Sequence, residues 1–315
     1  MTWWCEGVRW GGGVPLVRWR RGREVRDRGL EYGGELGFRA VGGRGCVGAR
    51  GNVCPVGAVV PGRSTGGRCA ECARLERAHS VAADTLADDP RTYRVYLAWF
   101  GPGMVKVGIT GERRGSARLL EQGAVVFSWL GRGPLMAARR TEEVVRRGLG
   151  VPDRVSYAEK RRVRLSLPGA GERAAEVEAL HARALALEGW PQTLEAVAFE
   201  AVDHGRVFGV ENLAPEAGAV QAVVELVDGG CLVGRVVAAA GPDLYVDVDA
   251  GAGAGAGAGG GRREEGGVVV LDTRLLGGWG LAAVPDARYG VTLPLVEVAA
   301  GGGDGRGGEG QGGLF

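Results

Sequence analysis

Tyr93-Arg94-Val95-Tyr96-Leu97-Ala98-Trp99-Phe100 leads into Gly101-Pro102-Gly103 and then Met104-Val105-Lys106-Val107-Gly108-Ile109-Thr110. Two runs rich in β-branched and aromatic side chains flank three turn-forming residues, a pattern that predicts a β-hairpin. Beyond it come an arginine-bearing segment (Arg113, Arg114, Arg118), a third apolar run from Val125 to Leu130, and a helical stretch carrying Glu142 and Glu143. The expected order across residues 91–165 is β-β-α-β-α. Tyr96, Lys106, Arg118 and Glu142 stand at its joints.

Upstream, four cysteines follow a β-rich lead of short strands at Trp3-Trp4, Val14 to Trp19 and Leu36 to Val41. Cys69-Ala-Glu-Cys72 is a CxxC knuckle, and Cys46 and Cys54 precede it across a loop rich in glycine and proline. Four thiolates can fill a tetrahedral Zn²⁺ shell, so Cys46, Cys54, Cys69 and Cys72 are the candidate ligands of a structural zinc. Reduced, unliganded cysteines and redox chemistry at Cys69 and Cys72 are the alternatives. Cys5 and Cys231 read as small apolar residues. A helix is expected from Ala73 to Ala87, with His79 on its surface.

Downstream, Glu159 to Val163 and Glu172 to Leu187 read as helices. Strand signals follow at 196–201, 219–226, 231–238, 244–248, 268–272 and 280–284. Residues 250–261 are an Ala/Gly insertion and 300–315 a glycine-rich disordered tail. The fold class is α+β, in four parts. Residues 1–90 form a β-rich zinc-knuckle segment and 91–165 the α/β core. Residues 166–299 carry a helix and a small antiparallel β domain, and 300–315 form the tail.

The chain has 315 residues, 45% of them hydrophobic, enough for buried cores in about two domains. Its 39 basic residues include only two lysines, Lys106 and Lys160. Residues 1–90 carry net +4, 91–165 net +10 and 166–315 net −12. A central basic block suits a phosphate-rich partner; a solvated basic face beside an acidic neighbour is the plainer account. No signal-peptide pattern and no membrane-length apolar run is present, so the expectation is a cytoplasmic, soluble protein without structural disulfides.

Arg94-Val95-Tyr96 and Lys106-Val107-Gly108 resemble the two signatures of the GIY-YIG nuclease superfamily. Arg94 stands where the first signature has glycine, and Lys106 where the second has tyrosine. The sequence resembles the DUF2797 family of that clan more closely. Lys106 to Thr110, Arg118 to Ala124 (with Gln122-Gly123-Ala124) and Asp153-Arg154-Val155 carry that likeness in order. In DUF2797 relatives a cysteine cluster also precedes the nuclease-like unit.

The superfamily resemblance implies roles. Tyr96 would help activate a nucleophile, Arg118 contact phosphate and Glu142 hold a catalytic Mg²⁺ or Mn²⁺, while Lys106 can contact phosphate. The residue types suit this chemistry: a phenol exchanges a proton, a guanidinium binds two phosphate oxygens, and one carboxylate with waters is an ordinary Mg²⁺ mode. Glu142 and Glu143 point about 100° apart on a helix, so only one can face the site. Each residue has a plainer reading too: core aromatic, exposed strand lysine, structural arginine, helix carboxylate. The implied function is nucleic-acid binding, DNA or RNA, with divalent-metal-dependent phosphodiester cleavage. The alternatives are a non-catalytic nucleic-acid-binding module and a zinc-stabilised scaffold that docks a protein partner.

Overall fold

The computed structural model describes residues 3–78, 89–152, 154–213, 220–248, 267–284 and 288–298. The strands β1 (Trp4–Gly11), β2 (Val14–Arg21), β3 (Glu24–Gly29) and β4 (Glu35–Val41) open the chain, before helix α1 (Ala70–Arg77). The middle holds β5 (Thr92–Gly101), β6 (Met104–Gly111), α2 (Ala117–Gln122), β7 (Val126–Pro134), α3 (Leu135–Leu149), α4 (Tyr157–Arg164) and α5 (Ala170–Leu185). Then come β8 (Glu195–Ala196), β9 (Val202–Asp203), α6 (Gly205–Phe208), β10 (Gln221–Val223), β11 (Cys231–Ala240) and β12 (Asp243–Asp247). The last strands are β13 (Val268–Asp272), β14 (Gly280–Ala283), β15 (Gly290–Val291) and β16 (Leu295–Glu297). The fold is mixed α+β and strand-rich. Among the described residues no helix is long and apolar enough to cross a membrane.

The expected hairpin forms, with Val95 opposite Ile109, Leu97 opposite Val107 and Tyr96 opposite Gly108. Strand β5 is central in the smaller sheet, whose order is β6-β5-β7-β8, with β9 also on β7. Both faces of β5 are covered. Val95, Leu97 and Trp99 join one apolar cluster with Val145 of α3 and Val177 of α5. Tyr96, Ala98 and Phe100 alternate with them and meet Leu119 of α2 and Phe127 of β7 on the other side. A strand buried on both faces loses the apolar-polar alternation of a half-exposed one, which explains its nearly unbroken apolar sequence.

Strands assigned from the sequence to separate segments, 1–90 and 166–299, pair in one sheet. It has eleven strands in the order β16-β10-β13-β12-β11-β4-β14-β1-β2-β3, with β15 also on β11. Strand β4 lies between β11 and β14, antiparallel to both. Nor is the pairing wholly antiparallel, since β10 and β13 run parallel. The boundary expected at 165/166 falls inside the smaller unit. Glu176 of α5 accepts from Trp99 Nε1 at 2.7 Å, and β8 and β9 pair with β7. The expected helix over 73–87 begins earlier, at Ala70, because Cys69 occupies its N-terminal cap. His79, Asp153, the 250–261 insertion and the 300–315 tail lie outside the described residues.

The two sheets meet at an ionic seam. Arg161 and Arg164 of α4 both bind Asp243, at 2.6 Å and 2.9 Å, and Arg161 also reaches Asp272 at 2.7 Å. The Arg164 and Asp243 side chains are fully shielded from water. A buried charge stripped of its partner is costly, by about 3–5 kcal/mol. Asp243→Asn should therefore lower the unfolding free energy by roughly that amount. Urea denaturation checks it, and a loss under about 1 kcal/mol would mean the seam adds no more than an exposed pair.

Candidate functional site

Tyr96 is placed by its strand and by a glycine. Across the hairpin its ring lies over Gly108, where an added Cβ would sit 2.4 Å from the phenol oxygen. Trp129 of β7 approaches edge-on, at 6.3 Å between ring centroids. From α2, Gln122 Nε2 donates to the Tyr96 hydroxyl at 3.0 Å. Arg118, exposed and one turn earlier on α2, lies within electrostatic reach of the phenol. Burial raises the Tyr96 pKa, and the Glu142 carboxylate raises it further, while Gln122 and Arg118 oppose them. The phenol therefore keeps its proton at neutral pH.

Three of the four residues singled out from sequence thus converge electrostatically: Tyr96, Arg118 and Glu142. Lys106, half-buried and opposite Ala98, stands two positions along the same face of the hairpin as Gly108. The neighbouring carboxylate is otherwise engaged, since Glu143 binds Arg146 at 2.8 Å and also pairs with Arg147. Tyr96 is only 2% exposed, so the core-aromatic description applies to it as well. Arg94 bonds Glu112 at 3.1 Å and lies over the Trp129 ring.

The Gln122-Gly123-Ala124 segment is a junction that sequence reading left without a role. Besides the Gln122 side chain, each of its three carbonyls accepts a buried donor. Lys160 Nζ reaches Gln122 O at 3.0 Å, Arg164 Nη2 reaches Gly123 O at 3.2 Å, and His204 Nδ1 is 2.9 Å from Ala124 O. Gly123 caps α2 at φ +70°, and a Cβ there would lie 2.2 Å from Arg164 and 3.1 Å from the Ala240 backbone. No side chain fits where two sheets approach this closely. The signal available in sequence was a glycine just past an amphipathic helix.

Cys46, Cys54, Cys69 and Cys72 come together, their sulfurs all within 4.8 Å of one another, close enough to hold a metal ion. Two knuckles deliver them. Cys46 Sγ accepts from the Gly48 and Cys69 amides at 3.4 and 3.2 Å, and Ala49 and Asn52 bridge the turn to Cys54. Backbone amides of Ala58 and Val56 draw the Cys54 thiol down to about 6, whereas burial and the neighbouring thiols push Cys72 up to about 12. Four thiolates this close repel one another unless a cation sits among them.

Arg44 bolts this cluster to the large sheet. Its buried guanidinium donates to Gly277 O and Pro61 O, each at 2.8 Å, and to Arg274 O at 3.0 Å. Burial draws its pKa down to about 10, and the Asp272 carboxylate opposes this only in part. Sequence reading missed Arg44, Lys160, Arg161, Arg164 and Asp243 because each looks like ordinary surface charge.

Fold and site together define a strand-rich α+β protein with a metal-capable four-cysteine knuckle and a tyrosine-arginine-glutamate constellation. The sequence profile described as Protein of unknown function (DUF2797) matches residues 33–251, more than half of the chain, and the protein belongs to that family. No curated protein and no solved structure matches it.

Gly108→Ala should displace the Tyr96 ring, break its bond to Gln122 and cost about 1–3 kcal/mol of stability. Denaturation, together with the chemical shift of labelled Tyr96, checks both effects. Metal analysis of protein grown with zinc should return about one ion per chain, lost in Cys72→Ser. Full metal content in that variant would mean that the ion is held elsewhere.

Proposed function

We propose that this protein binds nucleic acid, with divalent-metal-dependent phosphodiester cleavage at a site built from Tyr96, Lys106, Arg118 and Glu142. The observation that carries this reading is a phenol, held by Gln122 at 3.0 Å, that lies within electrostatic reach of both an exposed guanidinium and a half-buried carboxylate. It is strengthened by the resemblance of the hairpin to the GIY-YIG superfamily. Arg118 would bind two oxygens of a phosphate in one plane, and Lys106 would add a point charge beside it. Tyr96, keeping its proton, would donate a hydrogen bond to the oxyanion or the attacking water. Glu142 would hold one Mg²⁺ or Mn²⁺, which polarises the phosphate when bound. The four cysteines would hold zinc in a structural role, as an all-thiolate shell leaves no open position for substrate.

Part of the basic surplus is consumed internally. Arg161 and Arg164 neutralise Asp243 and Asp272, and Arg132 pairs with Glu195. Arg113, Arg118, Arg140 and Arg162 are exposed and remain available for phosphates. One observation favours the second reading, a non-catalytic nucleic-acid module: Tyr96 is 2% exposed and its hydroxyl already accepts a hydrogen bond from Gln122.

Labelled single-stranded, duplex and branched DNA and RNA, with Mg²⁺, Mn²⁺ or EDTA, separate the two. Glu142→Ala should reduce metal-dependent cleavage roughly 100-fold or more while leaving binding in place. Binding should weaken steeply with salt. Salt-dependent binding with no cleavage in any metal selects the second reading, and the absence of salt-sensitive binding rejects both.

A further inference from the structure

Lysine is rare here, standing at two of 39 basic positions. The two are within electrostatic reach of each other: the charge of Lys106 on β6 disfavours protonation of Lys160 on α4. Arginine serves almost everywhere else, including fully buried ion pairs. The difference a lysine makes is chemical, since a buried ammonium can give up its proton and a guanidinium cannot.

Lys160 is 3% exposed. Its Nζ lies 3.7 Å from the Phe100 ring centroid and 4.6 Å from that of Tyr157, and its hydrogen bond runs to Gln122 O at 3.0 Å. The charged groups facing it come from four elements. Arg164 on its own helix, Lys106 on β6 and Arg274 after β13 all disfavour the ammonium, and Asp243 on β12 favours it. Asp243 is already bound by Arg161 and Arg164. Burial and these cations draw the amine down to about 7.

Gln122 faces both ways. Its carbonyl holds Lys160, and its side-chain amide, which donates to Tyr96 at 3.0 Å, also reaches Arg118 O at 3.2 Å. We propose that Lys160 is a positioning residue for Tyr96, acting through Gln122 to fix the phenol beside Arg118 and Glu142. The relevance of this relay to activity rests on the nucleic-acid reading of the site; its existence does not. As the amine gains its proton it pulls harder on Gln122 O, and the shift of that residue is passed to the hydrogen bond on the phenol.

Having only two lysines makes the test clean. Protein carrying ¹³Cε/¹⁵Nζ-lysine gives two side-chain signals, and Lys160→Arg assigns them. ¹³C-tyrosine labelling follows Tyr96, assigned with Tyr96→Phe. On titration the Lys160 signal should show a midpoint near 7, and the Tyr96 ring should shift with the same midpoint. Gln122→Leu keeps the carbonyl that holds Lys160 but removes the amide on Tyr96, so Lys160 should still titrate while the Tyr96 response disappears. A Tyr96 signal that stays still as Lys160 titrates, or that still follows it in Gln122→Leu, overturns the relay. The nucleic-acid assays read the other claim separately. Coupling without binding would sink the functional reading alone, and binding without coupling would sink the relay alone.

Discussion

Asp243 receives two arginines of one helix in a place that water does not reach, and the arrangement of both sheets depends on it. Such a cluster is a weak source of net stability, since removing three charges from water offsets most of their attraction. Its strength lies in intolerance of alternatives. Helix α4 can meet β12 and β13 only where Arg161 and Arg164 both find their carboxylate, so a shift of one turn would leave charges buried alone. The seam thus specifies how the smaller sheet docks on the larger.

The Gln122-Gly123-Ala124 segment is where this docking reaches the candidate site. The absence of a side chain at Gly123 lets the Ala240-Gly241 turn approach its backbone, and Trp10 Nε1 closes the far side by donating to Gly241 O at 2.8 Å. The segment therefore joins β1, β11, α4 and the Tyr96 hairpin. A sequence motif that looks like part of an active site is first a structural crossing, with one of its side chains reaching the candidate phenol. From the cysteine knuckle the path is also continuous. Arg44 binds the Arg274 carbonyl, the Arg274 guanidinium lies 4.1 Å over Tyr157, and Tyr157 borders Lys160.

The hairpin, the helices after it and the cysteine cluster were legible because each is local: alternating or apolar runs, helical periodicity, CxxC spacing. Strand β3 was not, since Glu24-Val25-Arg26-Asp27-Arg28-Gly29 looks like charged loop. It forms at a sheet edge, where Arg18 and Asp27 pair across strands at 2.6 Å and charge is tolerated. The union of β4 with β11 and β14 was illegible because nothing in a strand's own residues names partners some 190 and 240 positions away. The seam was hidden for a related reason. Lys160-Arg161-Arg162 resembles a solvated helix face, and burial of Lys160 and Arg164 follows only from where Asp243 lies.

Strand order also fixes a sequence of events for a chain made from its N-terminus. The smaller sheet draws all its strands from residues 92–203, so its pairing can close as soon as that stretch is free. Strand β4, made earlier, must wait with both edges open until Cys231–Ala240 and Gly280–Ala283 exist. Open strand edges invite pairing with other chains. The interval between residues 41 and 283 is thus the period in which a nascent copy is most exposed to its neighbours. The Arg44 contacts to Gly277 and Arg274 belong to the end of that interval, so the cysteine knuckle is secured to the sheet only after most of the described chain has been made.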